Sequence, residues 1–389
     1  MSERPHSMSV HHVGPIRRAD VELGDLTVLV GPQGTGKSLF LQLLRLALDT
    51  GYVLDQMRKH GLQWNRDDFS TFLDAYLGEG MGAAWDRQHS KLVFNGRELA
   101  PEGLITAKGR RSKEPVVFYI PAQRVLSLAN GWPRPFQGFA PGDPFTLRDF
   151  SETFRLLMEQ EFNRLPVVFP KSNRLKAAYR DLLSQHLFCG FSLQVDRYGS
   201  QNRLVLTRDG SPAIPYLVWS AGQREFVPLL MGLYWLLPPA KITRRGQLEW
   251  AILEEPEMGL HDMALGAVLL LILELLHRGY RVCISTHTAN VLVLIWGIRI
   301  ARERGASIEP LVRALGMGKP DKSLCASVLH KDYRAYLFSQ EGSSVDISDL
   351  SLEGERDDQV WGGLEMLASR TNRFVMDLVS SPEDVQERI

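Results

Sequence analysis

The sequence predicts an α/β fold with an N-terminal antiparallel β subdomain and an inserted α/β lobe. Three observations carry this. A glycine-rich loop, GPQGTGKS at residues 31–38, lies between a β-like run, LTVLV, and a helix-like run, SLFLQLLRLAL. A continuous apolar run of strand length, VVFYIP at residues 116–121, suits a strand buried on both faces. A strand, helix, strand series runs from WAILEEPE through residues 263–277 to RVCIS and His287.

In chain order, residues 8–30 read as short β segments, MSVHHV, ADVEL and LTVLV, separated by the turn-like GPIRR and by Gly24. After the loop, Leu39, Phe40, Leu43, Leu44 and Leu46 form a broad helical stripe, and residues 54–60 continue that helix or begin a second. Residues 61–114 are mixed, with a β-like KLVFN and a basic run, TAKGRRSK, that reads as exposed loop, with a nucleic-acid contact as the alternative. The Gly- and Pro-dense NGWPRPFQGFAPGDP, residues 130–144, is expected to hold no regular structure and to mark a boundary. Helical patterns follow at residues 147–162 and 174–187, then strand-like FSLQVD, RLVLT and AIPYLVW, with a turn at Asp209 and Gly210. From Ser220, Phe226, Leu229, Leu230, Leu233 and Leu236 recur at helical spacing as far as Pro238 and Pro239. Residues 288–316 read as helical, SVLH and YRAYLF as a final hairpin, and residues 360–379 as a C-terminal helix. The resulting division is a core's N-terminal part over 1–124, an inserted lobe over 125–219, the core's C-terminal part over 220–302, and a C-terminal region over 303–389.

Composition narrows the class. A chain of 389 residues exceeds one ordinary compact domain, so a large α/β domain with an inserted lobe is expected. Lys plus Arg number 45 and Asp plus Glu 45, so there is no global drive toward nucleic acid or membrane, although a local patch would still bind either. Cys189, Cys283 and Cys325 are far apart without metal spacing, which suits a reducing, cytoplasmic compartment. The N-terminus lacks an apolar signal region, and the oily run at residues 265–276 is too short to cross a bilayer, so it reads as a buried helix. Adjacent His11 and His12 face opposite sides of a strand, which argues against a shared metal.

The chemistry begins at the glycine-rich loop, which fits the phosphate-binding P-loop pattern: Gly31, Pro32, Gln33, Gly34, Thr35, Gly36, Lys37 and Ser38. Gly31, Gly34 and Gly36 let backbone N–H groups approach a triphosphate, and the following helix aims its N-terminus at it. Lys37 would meet the β- and γ-phosphates, and the Ser38 hydroxyl would take a position on Mg²⁺. In AILEEPE, a Walker B pattern, Glu254 and Glu255 emerge at a strand end, where α/β sheets bind ligands. Glu254 would hold Mg²⁺ through water, and Glu255 would act as general base. Acids at a strand end are otherwise simply solvated; behind a P-loop the catalytic reading is preferred.

The third motif, WSAGQRE, lies between those two, and with it the sequence resembles the ABC-type ATPases, whose signature LSGGQ opens a helix. The resemblance implies that Ser220, Ala221, Gly222 and Gln223 read the γ-phosphate of the nucleotide held by the opposite protomer; taken alone, S-x-G-Q is an ordinary helix start with Ser220 as N-cap. By the same resemblance Gln123 matches the Q-loop glutamine that touches Mg²⁺ and the attacking water, and His287 the switch histidine at the γ-phosphate. The wording YIPAQR, LEEPEMGLH and STHTANVL is similar to the AAA-type ABC ATPases found as the ATPase half of OLD-family nucleases and in bacterial anti-phage systems. It covers about two thirds of the chain, residues 8–50, 116–124 and 216–300, leaving the insert and the C-terminus unexplained. Three departures stand out: Gln33 for Asn, Ala221 for a signature glycine, and Glu254 for the usual Walker B aspartate, whose extra length would shift the Mg²⁺ shell and slow hydrolysis.

What the resemblance implies is an ABC-type P-loop ATPase head, cytoplasmic and Mg²⁺-dependent, forming a head-to-tail homodimer around two ATP molecules and open to higher assembly. A separate effector such as a nuclease or toxin, in anti-phage defence, is the expected partner; a RecF- or SMC-like DNA-binding clamp in DNA repair or maintenance is the alternative. A transporter subunit is disfavoured by the absence of a membrane span and the long separation of Ser220 from Glu254. The insert is too short and too Pro-rich for a long coiled coil. No acid cluster of nuclease type follows His287: DISD at residues 346–349 has the wrong spacing and Asp357 and Asp358 are adjacent. The insert, the region after residue 302 and the apolar set Val360, Trp361, Leu364, Leu367 and Phe374 are the expected docking surfaces, with packing of that set onto the chain's own core as the alternative.

Overall fold

The computed structural model describes residues 6–65, 68–106, 114–162, 167–238 and 243–349. β1 (His6–Val13) and β2 (Ile16–Leu23) form a hairpin in which buried Met8, Val10 and Val13 stand opposite Val21, Ala19 and Ile16. β3 (Leu26–Val30) is buried throughout and delivers the chain to the P-loop and α1 (Lys37–Lys59). α1 runs through as one helix but kinks at Asp49. α2 (Phe69–Leu77), β4 (Lys91–Phe94), β5 (Arg97–Glu98), α3 (Pro101–Thr106) and β6 (Val117–Ile120) follow. β4 pairs with β1 and β5 with β4, which completes the expected antiparallel subdomain in the order β2-β1-β4-β5.

The stretch expected to lack regular structure supplies the turn and second strand of a small ladder, β7 (Leu128–Ala129) with β8 (Trp132–Pro133). Asn130 and Gly131 at its turn both have positive φ, 52° and 82°, the conformation of a tight hairpin turn. α4 (Phe145–Leu157) passes into a π-type turn at Met158–Phe162. β9 (Val167–Phe169), α5 (Ala177–His186), β10 (Ser192–Tyr198), β11 (Gln201–Thr207) and β12 (Ile214–Pro215) build a second sheet, ordered β12-β11-β10-β9. AIPYLVW is thus a strand for two residues only. Pro215 carries no N–H for a ladder, and Trp219 folds back to donate from Nε1 to Ile214 O at 2.9 Å.

The second half runs α6 (Ala221–Leu236), β13 (Trp250–Glu254), α7 (Asp262–His277), β14 (Arg281–Thr286), α8 (Asn290–Glu303), α9 (Glu309–Ala314), α10 (Lys322–Leu329), β15 (Tyr333–Phe338) and β16 (Ser344–Asp346). Residues 288–316 break into two helices around Gly305, whose φ is 60°. The expected final hairpin is not formed. SVLH belongs to α10, started by Asp321 accepting from the Ser323 N–H, while YRAYLF is β15, parallel to β3 and antiparallel to β16. The C-terminal helix at residues 360–379 with its apolar set, the adjacent Asp357 and Asp358, and most of the basic run lie outside the described residues.

The core sheet has the order β16-β15-β3-β14-β13-β6, in which β15, β3, β14, β13 and β6 are mutually parallel. Successive residues of β13 feed opposite cores: Ala251 and Leu253 join α6 and α7, and Trp250 and Ile252 join α1 and the antiparallel subdomain. α7 is buried along Ala264 to Leu276, as its oily composition demands, and packs on α5 and α10. Each fully buried Leu or Ile there contributes roughly 2 kcal/mol by burial. Among the described residues no helix is long and apolar enough to cross a membrane. Parallel pairing brings the C-terminal ends of β3, β14, β13 and β6 to one edge, and the motif residues follow them there.

Candidate functional site

The loop after β3 is moulded by its neighbours. Gly31 and Gly36 have φ of 138° and 93°; a Cβ on Gly31 would lie 2.2 Å from the Phe338 carbonyl oxygen, and one on Gly36 2.5 Å from Ile16 Cγ1. Gly34, with φ of 77°, meets nothing and faces open space. The Lys37 side chain is buried beneath the loop, its Nζ donating to Gly31 O at 2.8 Å and Pro32 O at 2.7 Å, while Thr35 Oγ1 donates to Pro32 O at 2.9 Å. Burial lowers the Lys37 pKa to about 8, against the opposing pull of Glu255 and Glu257. No side chain caps the N-terminus of α1, which leaves its first N–H groups available to a ligand.

At the end of β13, Glu254 is fully buried. Its Oε2 accepts the Ala122 N–H at 2.9 Å, Oε1 is enclosed without an aligned hydrogen bond, and the carboxylate lies near the hydroxyls of Ser38 and Tyr119. Burial raises its pKa above the ordinary carboxylate range, and the Ala122 N–H and the two hydroxyls oppose that rise. Glu255 follows in the left-handed region, φ 42°, its N–H donating to Ser285 O at 2.9 Å. Its Oε1 lies 2.8 Å from His287 Nε2. Glu257 fixes that histidine, since its Oε1 accepts from Thr286 Oγ1 at 2.7 Å and from the His287 N–H at 2.8 Å.

These elements enclose a cleft of about 400 Å³. Gln33, Gly34, Thr35, Gly36, Lys37 and Ser38 line it together with Gln123, Glu255 and His287. Pro15, Leu39, Leu77, Met81 and Pro144 supply an apolar wall that nothing in the sequence pattern marks, because it is assembled from four separate segments. Gln123 is exposed just beyond β6.

The signature residues lie elsewhere. Ser220 N-caps α6 in a capping box: its Oγ accepts the Gln223 N–H at 3.2 Å, and Gln223 Oε1 accepts the Ser220 N–H at 3.1 Å. Ala221 is exposed, whereas a Cβ on Gly222 would fall 2.6 Å from the Gly259 carbonyl oxygen, so Gly222 is required for packing within the chain. Sequence reasoning passed over Arg124, a fully buried guanidinium that reaches both α6 and the end of β13. The signal available was its place next to Gln123.

No family model matches the chain, and no curated protein matches it. Among solved structures it is similar to an SMC head bound to the C-winged helix domain of ScpA, at 11% identity over 89% of this chain and 97% of that one, TM-score 0.42. It is also similar to the SMC head domain from Thermotoga maritima, at 11% identity over 89% and 98%, TM-score 0.34. A bacterial ABC transporter cassette in its dimeric structure aligns at 9% identity over 87% and 98%, TM-score 0.36. At such values no residue role passes from these proteins to this chain.

Proposed function

We propose that the cleft binds ATP with Mg²⁺ and hydrolyses it to ADP and phosphate. The observation that carries this reading is the convergence on one cleft of the P-loop, Gln123, Glu255 and His287, with Glu254 buried beside Ser38. The N–H groups of residues 34–38 would cradle the phosphates, and Lys37, now bonded to the loop's own carbonyls, would turn its ammonium to them. Ser38, Gln123 and Glu254 are the groups to hold Mg²⁺; a buried Glu254 carboxylate beside the Ser38 hydroxyl, with its Oε1 unpaired, fits an oxygen-seeking cation. When bound, Mg²⁺ supplies positive charge against the phosphate oxygens. Glu255 takes a proton from the water that attacks the γ-phosphorus, the bond to the β-phosphate oxygen breaks, and ADP leaves. His287, held by Glu257, orients Glu255 from the side.

The exposed Ser220 end of α6 lies outside its own chain's cleft and is the surface to complete the site of a second copy, head to tail. Control of a separate effector, in anti-phage defence, rests on the resemblance of YIPAQR, LEEPEMGLH and STHTANVL alone, with the DNA clamp as its alternative. Phosphate release from MgATP by the purified chain tests the proposal. Wild type turns over, and Glu255→Gln binds ATP but loses turnover by roughly a hundredfold or more. Equal rates in the two would remove Glu255 from the role of base.

A further inference from the structure

Arg124 is entirely buried and follows Gln123 directly. Its guanidinium spends its donors on main-chain oxygens of two different elements: Nη1 to Glu254 O at 3.0 Å, Nη2 to Glu255 O at 3.1 Å, and Nε to Glu225 O at 3.1 Å. A weaker Nη1 contact to Pro121 O measures 3.5 Å, and the Glu225 carboxylate stands 3.9 Å away as the nearest ion-pair partner. Glu225 is on the first turns of α6, two residues after Gln223, and Glu254 ends β13 with Glu255 following it. Beside this tie, Gly222 lies against Gly259 so closely that no Cβ fits between them.

We propose, on the reading of the cleft as an ATPase site, that Arg124 is a positioning residue that couples the signature end of α6 to the catalytic carboxylate of the same chain. Glu255 has a positive φ, a conformation that an L residue keeps only when its surroundings hold it. Its N–H is held by Ser285 O and its carbonyl by Arg124 Nη2, so the peptide is fixed on both sides while the side chain faces His287. A guanidinium is a planar fork with donors in fixed directions, so a displacement of Glu225 O turns the whole fork and moves the Glu255 carbonyl with it. A lysine in its place presents one point charge and transmits no orientation. In the head-to-tail dimer the Ser220 end of α6 meets the nucleotide held mainly by the partner. Occupancy of that second site is therefore felt at the chain's own Glu255 and raises turnover there without being indispensable to it.

The test compares wild type, Arg124→Lys, Arg124→Gln and Glu225→Gln as full chains, by ATP titration calorimetry, thermal melting and phosphate release against ATP concentration. Arg124→Lys is expected to bind MgATP within about threefold of wild type, to lose roughly ten- to hundredfold in kcat, and to replace a cooperative ATP dependence by a hyperbolic one. Glu225→Gln, which keeps the carbonyl that Arg124 binds and removes only the distant carboxylate, is the control and is expected to match wild type. If Arg124→Lys does not fold, Arg124→Gln, which keeps one amide group as donor and removes the fork, takes its place with the same expected split. A merely structural arginine would lower melting temperature and active fraction and leave cooperativity unchanged. The proposal is overturned by a folded Arg124→Lys with kcat within about twofold of wild type, by parallel loss of ATP binding and turnover, or, failing folding of that variant, by an Arg124→Gln with kcat within about twofold of wild type. A wild type without ATPase activity would instead sink the ATPase reading, and the coupling with it.

Discussion

His287 Nε2 lies 2.8 Å from Glu255 Oε1, and Glu257 holds the histidine's backbone N–H at 2.8 Å, so the Glu255 carboxylate and the imidazole ring are one hydrogen-bonded unit. Removing the ring leaves Glu255 in place but unaligned. His287→Ala is expected to keep ATP affinity within about threefold and to lower kcat roughly a hundredfold, as removal of an orienting partner does. Calorimetry and steady-state phosphate release read the two quantities separately. A normal kcat would show that Glu255 needs no orientation from His287.

The position of Ser220 outside the cleft makes a prediction about mixtures. Lys37→Ala lacks the ammonium proposed to meet the phosphates, and Ser220→Arg blocks the surface proposed to meet a partner. Each alone is expected to be inactive, and an equimolar mixture to regain activity, because each heterodimer retains one complete composite site. ATPase assays after mixing and reassembly, with cross-linking to verify heterodimers, give the answer. Verified heterodimers as inactive as the single variants would speak against a signature acting across the interface, or show that both sites must fire together.

Burial lowers the Lys37 pKa to about 8, and the protonated form is the one that meets phosphate. Above that pH the protein must take up a proton in order to bind ATP. Affinity is expected to be level below pH about 7 and to fall by up to about tenfold per unit above 8, with proton uptake on binding. Titrations in two buffers of different ionisation enthalpy measure it. Absence of proton uptake between pH 8 and about 9 would place the ammonium away from the phosphates.

Asp49 explains the kink in α1, because its carboxylate leaves helical geometry to accept the N–H groups of Val116 and Val117, both at 2.9 Å. Asp49→Ala strands one buried and one half-buried donor at the entry to β6 and is expected to cost roughly 1–3 kcal/mol in chemical denaturation. Burial pushes the Asp49 pKa up to about 6, so its stabilising contribution is complete below the unfolded-state value of 3.8 and declines as pH rises through about 6. The wild-type advantage over Asp49→Ala therefore narrows from pH 5 to 7. An advantage that widens with pH would mean that the carboxylate is held ionised by the fold.

Much of this architecture is legible locally. β3, the glycine loop and α1 announce themselves because apolar run, glycines and helical stripe are contiguous, and β6 and β13 because strands buried on both faces read as unbroken apolar runs. β15 and β16 are not legible in the same way: β15 finds its partner β3 more than three hundred residues earlier, and pattern reading pairs it with its neighbour SVLH instead. α10 is short, and its start depends on a single cap, Asp321. In the cleft, the places of Lys37 and Glu255 follow from strand ends, whereas the apolar wall from Pro15, Leu77, Met81 and Pro144 comes from residues with no shared spacing. Arg124 was hidden for a different reason. A buried arginine bonded to main-chain carbonyls needs no complementary acid in the sequence to reveal it.

Calorimetric titration of wild type and Lys37→Ala with ATP and Mg²⁺ addresses the cleft most directly. Lys37 is the buried cation of the P-loop, and no other Lys or Arg lines the cleft among the described residues, so nothing there replaces it. Wild type is expected to bind one ATP per chain, and Lys37→Ala, folded by its melting curve, to lose binding by roughly a hundredfold or more. Equal affinity in the two proteins would contradict the assignment and leave GPQGTGKS as a turn that binds no phosphate.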